Sequence, residues 1–337
     1  MERKLASVRV ISDIQPIEGA DMIELAIVDG WKVVVAKNVG HKVGNLVVYC
    51  EIDSFLPIRE EFEFLRKSSY KKMGDQEGFR LRTIKLRGQV SQGLILPIHV
   101  LPFGEAVIEG QDVTEMLGIV KYEPPIPAEL SGKVKGLFPS FIRKTDEERV
   151  QNLAKEYDEY RLTSRHVFYA TEKLDGSSST FYLKDGVFGV CSRNLELLET
   201  EGNTFWKVAR ELDLENKMAT LGFNVCLQGE LIGEGIQGNP YKIKGQTVRF
   251  FNGFNIDTQE NIPFLEFVFI VQNLGLSTVP ILDYEFVLPD TVDGMLKYAE
   301  DKSQLNSNFD REGVVIRSYD RSISFKTISN KFLLNEK

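Results

Sequence analysis

The run Tyr122-Glu123-Pro124-Pro125-Ile126-Pro127 constrains this chain more than any other segment. Each proline fixes φ and removes a backbone donor, so the run stiffens the chain and blocks regular structure. With 337 residues, the chain is long for one core and comfortable for two. The run therefore divides it into residues 1–118, a linker over 119–135, and residues 136–337.

The first unit reads as all-β. Val8–Ile11 is strand-like, Ala20–Gly30 leads into a hairpin turn, Trp31–Ala36 follows as a β-branched strand, and Leu46–Ile52 follows Gly44-Asn45. Short strands at this spacing, separated by Gly and Asp turns, predict a small barrel. The stretch from Ile17-Glu18-Gly19-Ala20-Asp21 through Trp31-Lys32-Val33-Val34-Val35 resembles the OB-type modules attached to RNA enzymes. Such a likeness leaves open whether the barrel binds a ligand or is purely structural. Residues 66–87 are the most basic part of the chain, with Arg66, Lys67, Lys71, Lys72, Arg80, Arg82, Lys85 and Arg87 against Asp75 and Glu77. Tyr70 and Phe79 lie among them. Cations track phosphates and aromatic rings stack on bases, so this mixture suits a nucleic-acid strand and equally a solvated loop.

In the second unit, Lys133, Lys135, Arg143 and Lys144 form another positive segment. Thr145-Asp146-Glu147-Glu148 has the spacing of a capping box and predicts a helix running to about Tyr160. From about residue 166, strands alternate with two helical segments near 203–217 and 291–304. That pattern predicts an α+β fold rich in antiparallel pairs.

Composition narrows the setting. Apolar residues at 42% and charged residues at 27% are ordinary globular values. No apolar run reaches the ~18 residues of a membrane span. The opening Met-Glu-Arg-Lys-Leu lacks the apolar stretch and cleavage site of a signal peptide. Cys50, Cys191 and Cys226 suit free thiols in a reducing compartment and give no metal-ligand spacing. These features predict a cytoplasmic protein with no membrane partner. A net charge of −8 argues against non-specific coating of nucleic acid and favours contact through limited basic patches.

The stretch Thr171-Glu172-Lys173-Leu174-Asp175-Gly176 reads in two ways. Asp-Gly between strand-like residues is a hairpin turn. K-x-D-G also surrounds nucleophilic lysines, although alone it is a weak signal. Lys184-Asp185-Gly186 lacks the intervening residue and reads as an ordinary turn. Order supplies the specificity. After Lys173 come Ser192-Arg193-Asn194, Gly229-Glu230-Leu231 and Phe251-Asn252-Gly253-Phe254-Asn255-Ile256. Glu312-Gly313-Val314-Val315-Ile316-Arg317 and Ser324-Phe325-Lys326 complete the series. It resembles the ordered motifs of the covalent nucleotidyltransferases, meaning the ATP-dependent ligases and the mRNA capping enzymes, over roughly residues 140–337.

The resemblance implies an OB-like barrel followed by an antiparallel-sheet-rich, ATP-grasp-like ligase domain. It implies ATP as co-substrate, Mg²⁺ or Mn²⁺ as cofactor, and Lys173, Lys326 and Arg193 as catalytic residues. Lys173 would attack the α-phosphorus of ATP. That requires an unprotonated amine, whose pKa Lys326 and the bound cation would lower. Asp175, Glu230 and Glu312 are hard oxygen donors suited to the cation. Arg193 and Lys326 would neutralise phosphate charge. Glu172, Lys173, Gly176, Arg193, Glu230, Phe251 and Lys326 would line the nucleotide site, with Phe251 offering its ring to adenine. Taken singly, Arg193 also reads as a salt-bridged turn residue, Glu230 as a surface carboxylate and Phe251 as core. Two strands, Gly313–Ser318 and Arg321–Lys326, joined by a tight turn at Tyr319-Asp320, would bring Lys326 beside Gly313 and Glu312, subject to register.

Gly233-Glu234-Gly235-Ile236-Gln237-Gly238 fits G-x-G-x-x-G, but Asn239-Pro240-Tyr241-Lys242 and Gly245 break the helix a dinucleotide site needs. It reads as a loop near the nucleotide. His41, His99 and His166 are isolated.

Within the superfamily, Glu172, Gly235-Ile236-Gln237 with Asn239, and Ser324–Lys331 resemble RNA ligases of the Deinococcus and Naegleria types. Those enzymes carry the OB module ahead of the catalytic domain, and the resemblance to them spans essentially the whole chain. It implies an RNA partner with 3′-hydroxyl and 5′-phosphate ends, duplex or nicked, and a monomeric enzyme. The RNA contacts it leaves to the basic residues are Lys71, Lys72, Arg80, Arg82, Lys85, Arg87 and Arg149. One position departs from the pattern. Many ligases have lysine two residues before the last one, where this chain has Ser324, and Lys331 is the nearest substitute for the charge. A DNA ligase, a GTP-using capping-type enzyme and an inactive RNA-binding homologue remain alternatives.

Overall fold

One bulged strand organises the N-terminal unit. The computed structural model describes residues 4–102, 107–123, 133–162 and 166–336, so Pro124 to Pro127 lie outside the described residues. Strand β1 (Ala6–Pro16) breaks register between Ile11 and Asp13. The extra residue lets one strand bend between two partners. β2 (Ile23–Val28) pairs with its second half, β3 (Trp31–Ala36) follows β2 across the Asp29-Gly30 turn, and β4 (Leu46–Cys50) pairs with its first half. The remaining strands are β5 (Ser54–Pro57), β6 (Tyr70–Met73), β7 (Gln76–Arg80), β8 (Ile84–Leu86), β9 (Gln89–Ser91), β10 (Leu94–Pro97) and β11 (Val120–Lys121). They form curled antiparallel sheets in the orders β10-β4-β1-β2-β3 and β11-β5-β7-β6, with β8-β9 as a separate ribbon. Trp31, Tyr49, Phe62 and Phe79 are fully buried in this unit. This is the OB-like barrel expected from the strand spacing. Pairing of β11 with β5 carries it to Lys121, slightly past the expected boundary at 118.

The second unit contains two sheets. Its strands are β12 (Val134–Leu137), β13 (Glu148–Arg149), β14 (Phe168–Lys173), β15 (Ser177–Lys184), β16 (Val187–Cys191), β17 (Leu195–Leu197), β18 (Val225–Gly233), β19 (Gln246–Asn255), β20 (Glu260–Asn261), β21 (Ile281–Phe286), β22 (Gly313–Ser318) and β23 (Ser324–Ile328). One sheet runs β12-β17-β16-β15-β18-β19-β20 and the other β13-β23-β22-β14-β21. In the larger sheet, Phe181, Val190, Leu227, Val248 and Phe250 face a core closed by the helices Thr204–Glu211, Leu214–Ala219 and Phe264–Asn273. Burying each phenylalanine contributes about 1.5–3 kcal/mol. The opposite face carries Ser178, Thr180, Gln228, Glu230 and Arg249, because paired residues share a face and side chains alternate. That polar face belongs to the site.

Three helical expectations change. The helix expected from Thr145 is absent. Glu148–Arg149 instead runs parallel to β23, and Glu147 is drawn into a buried ion pair with Arg317 at 2.7 Å. That tertiary pairing outweighs the capping-box pattern; a 3-10 turn follows at Val150–Leu153 and α-helix begins at Tyr157. The segment near 203–217 is two short helices broken at Asp213, which takes φ 53°. The segment expected over 291–304 ends at Ala299. Phe264–Asn273 was not foreseen as helix, since FLEFVFIVQN is too apolar to show a polar stripe.

The units share a core. Ile328 and Leu333, from β23 and the helix Asn330–Asn335, pack with Trp31, Tyr49 and Ile95. The Gly30 N–H bonds to the Gln151 carbonyl at 2.9 Å, so close that a Cβ on Gly30 would lie 2.8 Å from Gln151 Cα. Among the described residues, no helix is long and apolar enough to cross a membrane.

Candidate active site

Lys173 stands at the end of β14, opposite Gly313 of β22. Gly313 has no side chain to come between them, and Glu312 directly precedes it. Both oxygens of the Glu312 carboxylate accept from Lys173 Nζ, at 2.7 and 2.8 Å. After Lys173, the three residues Leu174, Asp175 and Gly176 carry the chain from the smaller sheet into the larger one, where β15 pairs with β18. The Asp-Gly pair is therefore no hairpin turn, and neither residue takes a positive φ. Gly176 crosses β18 tightly. A Cβ there would overlap the Leu231 carbonyl oxygen and lie 2.8 Å from Ile232 Cγ2 and 2.9 Å from Glu230 Cγ. This crossing brings Asp175 and Glu230 to the nucleophile. By contrast, Asp185-Gly186 is the ordinary turn expected, with φ of 51° and 76° between β15 and β16.

The electrostatics follow from crowding. Burial, reinforced by Glu312, pushes the Asp175 carboxyl up to about 7. Burial also pushes Glu230 up to about 8, with Lys173 opposing the shift and Glu312 and Asp175 adding to it. Burial works against the Lys173 ammonium, yet Glu312, Glu230 and Asp175 outweigh it and hold the amine above its ordinary value. The expected lowering of Lys173 by Lys326 is therefore not seen. Lys326 acts instead on Asp146.

Three carboxyls crowd one ammonium, and with Asp175 raised to about 7 and Glu230 to about 8 part of the surplus negative charge is neutralised by protons that a divalent cation would displace. All are hard oxygen donors, so the set fits a divalent cation by charge and by chemistry. Among the described residues, no three acidic, histidine or cysteine side chains already converge as a metal site. Glu312 is turned onto Lys173 instead.

Glu172 is buried at 1% exposure, with Oε2 accepting from the Gln304 N–H at 2.8 Å. Burial raises its pKa, and its Oε1 lacks a hydrogen-bond partner. Phe251 occupies the bulge where Gln228 pairs with Asn252 but Gly229 pairs with Phe250. A bulge re-aims a side chain. Phe250 thus stays in the main core while Phe251 packs with Leu174, Ile232, Tyr241 and Val279, under the Arg317 guanidinium at 5.8 Å.

The last motif is shifted from its expected register. Residues 319–323 form a loop rather than a tight turn, β23 begins at Ser324, and Ile328 rather than Lys326 lies opposite Gly313. Lys326 pairs with Val315, one row along on the face that carries Lys173. Ser324 bonds through its hydroxyl to Glu147, beside Arg317. Lys331 is turned to Glu300 at 3.9 Å, so it does not supply the missing charge. Arg193, on the turn before β17, bonds to Asp146 at 2.7 Å.

The basic residues divide. Lys71, Lys85 and Arg87 are exposed, Arg82 is half-buried, and Lys72 is exposed but paired with Glu77 at 2.8 Å. Two expected RNA contacts are misplaced. Arg80 is buried between Asp53, Glu336 and the Tyr122 ring, while Arg149 is buried against Trp31 and Asp53 and in register with Lys326. Both hold the two units together. Asp146 and Glu147 lie in the stretch whose pattern predicts helix and so are not among the expected site residues, nor is Tyr241, whose hydroxyl accepts from the Asp175 N–H. The signal for Glu147 was the serine at 324.

Comparison with known proteins agrees with this arrangement. An OB-fold domain family matches residues 5–98, and the RNA ligase family matches residues 166–332. A search of curated proteins gave no match. An apo aspartate-to-alanine mutant of Naegleria gruberi RNA ligase shares 44% identity and superposes with a TM-score of 0.93 over 98% of this chain and 97% of its own. A lysine-to-methionine mutant with AMP and Mn gives 44% identity and 0.94 over 99% of both chains. A lysine-to-alanine mutant with ATP and Mn gives 44% and 0.93, again over 99% of both. The ordered motifs, a barrel placed ahead of two sheets, and identity over nearly the whole chain thus converge: this protein belongs to the RNA ligase family.

Proposed function

We propose that the protein uses ATP to join RNA ends bearing a 3′-hydroxyl and a 5′-phosphate, through an adenylate on Lys173. The observation that carries this reading is the clasp of the Lys173 amine by Glu312, with Glu230 and Asp175 close enough to act on its charge. In the first step Nζ forms a bond to the α-phosphorus and pyrophosphate leaves. Glu312, at 2.7 Å, is the nearest acceptor for the amine proton. The adenylate then passes to the RNA 5′-phosphate, which frees the amine, and the 3′-hydroxyl displaces AMP to close the bond.

The other residues take roles set by position. Lys326 and Arg193 would meet phosphate charge. Phe251 would face adenine, and the unpartnered Glu172 oxygen suits an amino donor. Asp175, Glu230 and Glu312 would hold Mg²⁺ or Mn²⁺, which supplies positive charge that favours the neutral amine. The Naegleria gruberi enzyme has been solved with ATP and Mn, with AMP and Mn, and with pyrophosphate, which supports the same ligands here. The N-terminal unit and the exposed Lys71, Arg82, Lys85 and Arg87 would hold a nicked duplex. The enzyme would act as a monomer in the cytoplasm.

The test is incubation with α-labelled ATP and Mg²⁺ or Mn²⁺, followed by acid precipitation. Wild type should carry label and Lys173→Ala none; equal labelling refutes the assignment. Labelling from GTP would point to a capping-type enzyme, and equal sealing of all-DNA nicks to a DNA ligase.

A further inference from the structure

The segment from Arg143 to Arg149 lies across the polar face of the site and touches each motif it crosses. The Arg143 carbonyl accepts from Gln228 Nε2 at 3.0 Å, and Lys144 Nζ donates to Asn194 Oδ1 at 3.0 Å. Asp146 takes Arg193 at 2.7 Å, Glu147 takes Arg317 at 2.7 Å, and Arg149 lies beside Lys326. Two of these contacts are ion pairs with opposite characters. Glu147 and Arg317 are buried, with side-chain exposures of 12% and 3%. Such a pair is structural, because opening it would strand a charge. Asp146 and Arg193 keep side-chain exposures of 56% and 48%. That pair can open into water at little cost.

Asp146 also draws on more than one cation. Besides Arg193, both Lys326 and Lys121 act on its carboxylate and help hold it below the usual range, against the effect of burial. A cluster of one guanidinium and two ammonium groups is a setting for a polyanion.

We propose that Asp146 stands in for a phosphate, so that its carboxylate and the pyrophosphate portion of the nucleotide compete for Arg193, Lys326 and Lys121. This rests on the reading of Arg193 and Lys326 as phosphate-binding residues. The competition weakens the hold on pyrophosphate, and on the same phosphates while they are still part of ATP. Release is then easier, and reversal needs more pyrophosphate.

The test is calorimetric binding of inorganic pyrophosphate, with Mg²⁺, to the full-length protein freed of adenylate. Asp146→Asn and Asp146→Ser should each bind it roughly two- to fivefold more tightly, the range that loss of a competing half-exposed ion pair allows. Asp146→Glu should return the wild-type affinity. In an Arg193→Gln background the asparagine substitution should change nothing, because the competition acts through that guanidinium. Unchanged or weaker binding by Asp146→Asn overturns the proposal. Equal tightening with and without Arg193 also overturns it, since the effect would then be general charge and not occupancy. If Arg193→Gln and Lys326→Gln bind pyrophosphate as wild type does, the phosphate-binding reading fails instead, whatever Asp146 does.

Discussion

Replacing Gly176 by alanine tests whether the crossing between the two sheets positions the nucleophile. The added Cβ would lie 2.8 Å from Ile232 Cγ2 and 2.9 Å from Glu230 Cγ, and would overlap the Leu231 carbonyl oxygen. Optimal carbon–carbon contact begins near 3.5 Å, so something must move by about 0.7 Å. The carbonyl cannot yield, because Leu231 pairs with Ser177 in the ladder between β15 and β18. The displaced parts are then the 174–176 crossing, with Lys173 at its head, and the Glu230 side chain. Overpacking of this kind costs about 1–3 kcal/mol. At about 2–4 °C per kcal/mol for a unit of this size, Tm should fall by roughly 2–12 °C. A misplacement approaching 1 Å costs up to ~100-fold in rate, so lysyl-AMP formation should slow by about 10- to 100-fold. The assay is the rate of acid-stable labelling well below Tm. Gly186→Ala serves as control, since Gly186 has φ 76° with nothing within 4 Å of the added Cβ. It should lower Tm through turn strain of about 1–2 kcal/mol and leave labelling unchanged. Gly176→Ala protein that labels at the wild-type rate with an unchanged melt would refute the reasoning.

Glu147→Gln should destabilise the fold by about 3–5 kcal/mol, because it leaves Arg317 buried without its carboxylate; a melt within 1 °C of wild type would exclude this. Burial opposes the Glu147 charge, but Arg317 and Ser324 more than offset it and hold the carboxyl below the ordinary glutamate value of 4.5. Its contribution is therefore present above about pH 4.5 and lost as pH falls through the lower folded value, so melts from pH 7 to 3 should show a steeper acid decline in wild type than in Glu147→Gln. A double Lys85→Gln, Arg87→Gln variant should weaken RNA binding and lower the slope of log affinity against log salt by up to about one per cation, with stability unchanged. Arg80→Gln should do the reverse, lowering Tm while the salt slope stays as in wild type, since that guanidinium is spent on Asp53 and Glu336.

Much of the fold was legible because period and turn chemistry are local. The Asp29-Gly30 and Asp185-Gly186 turns, the β-branched strand at Trp31 and the loop at Gly233–Gly238 all lie where residue pattern placed them. The failures share one cause. Helix was expected after Thr145 and not at Phe264, and in both places tertiary context decided. Glu147 is captured by Arg317, 170 residues away, and the helix Phe264–Asn273 is apolar on the faces that pack against Tyr169 and Phe250. The basic segment shows the same limit. Arg80 and Lys85 look alike in sequence, yet one is buried among carboxylates and the other is exposed.

The two Asp-Gly pairs show why the site itself needed motif order to be read. Asp185-Gly186 takes the left-handed conformations that fold a strand back on its neighbour. Asp175-Gly176 takes none of them, and the glycine is needed for a different reason: the chain there crosses β18 with no room for a side chain. Locally the two differ by the residue between lysine and aspartate, which is too weak a signal to decide between them. What distinguishes them is the pairing of Lys173 with Gly313, set by β22, which enters 140 residues later in the chain. That pairing puts Glu312 on the amine, and the crossing at Gly176 brings Asp175 and Glu230 beside it. Proximity alone would have produced a quiet salt bridge. Crowding raises the proton affinity of Asp175 and Glu230, and a cation that took the place of those protons would also relieve the field holding the proton on Lys173. On the proposed reading, the same carboxylates that keep the amine charged would hold magnesium or manganese, and the bound cation would favour the neutral amine.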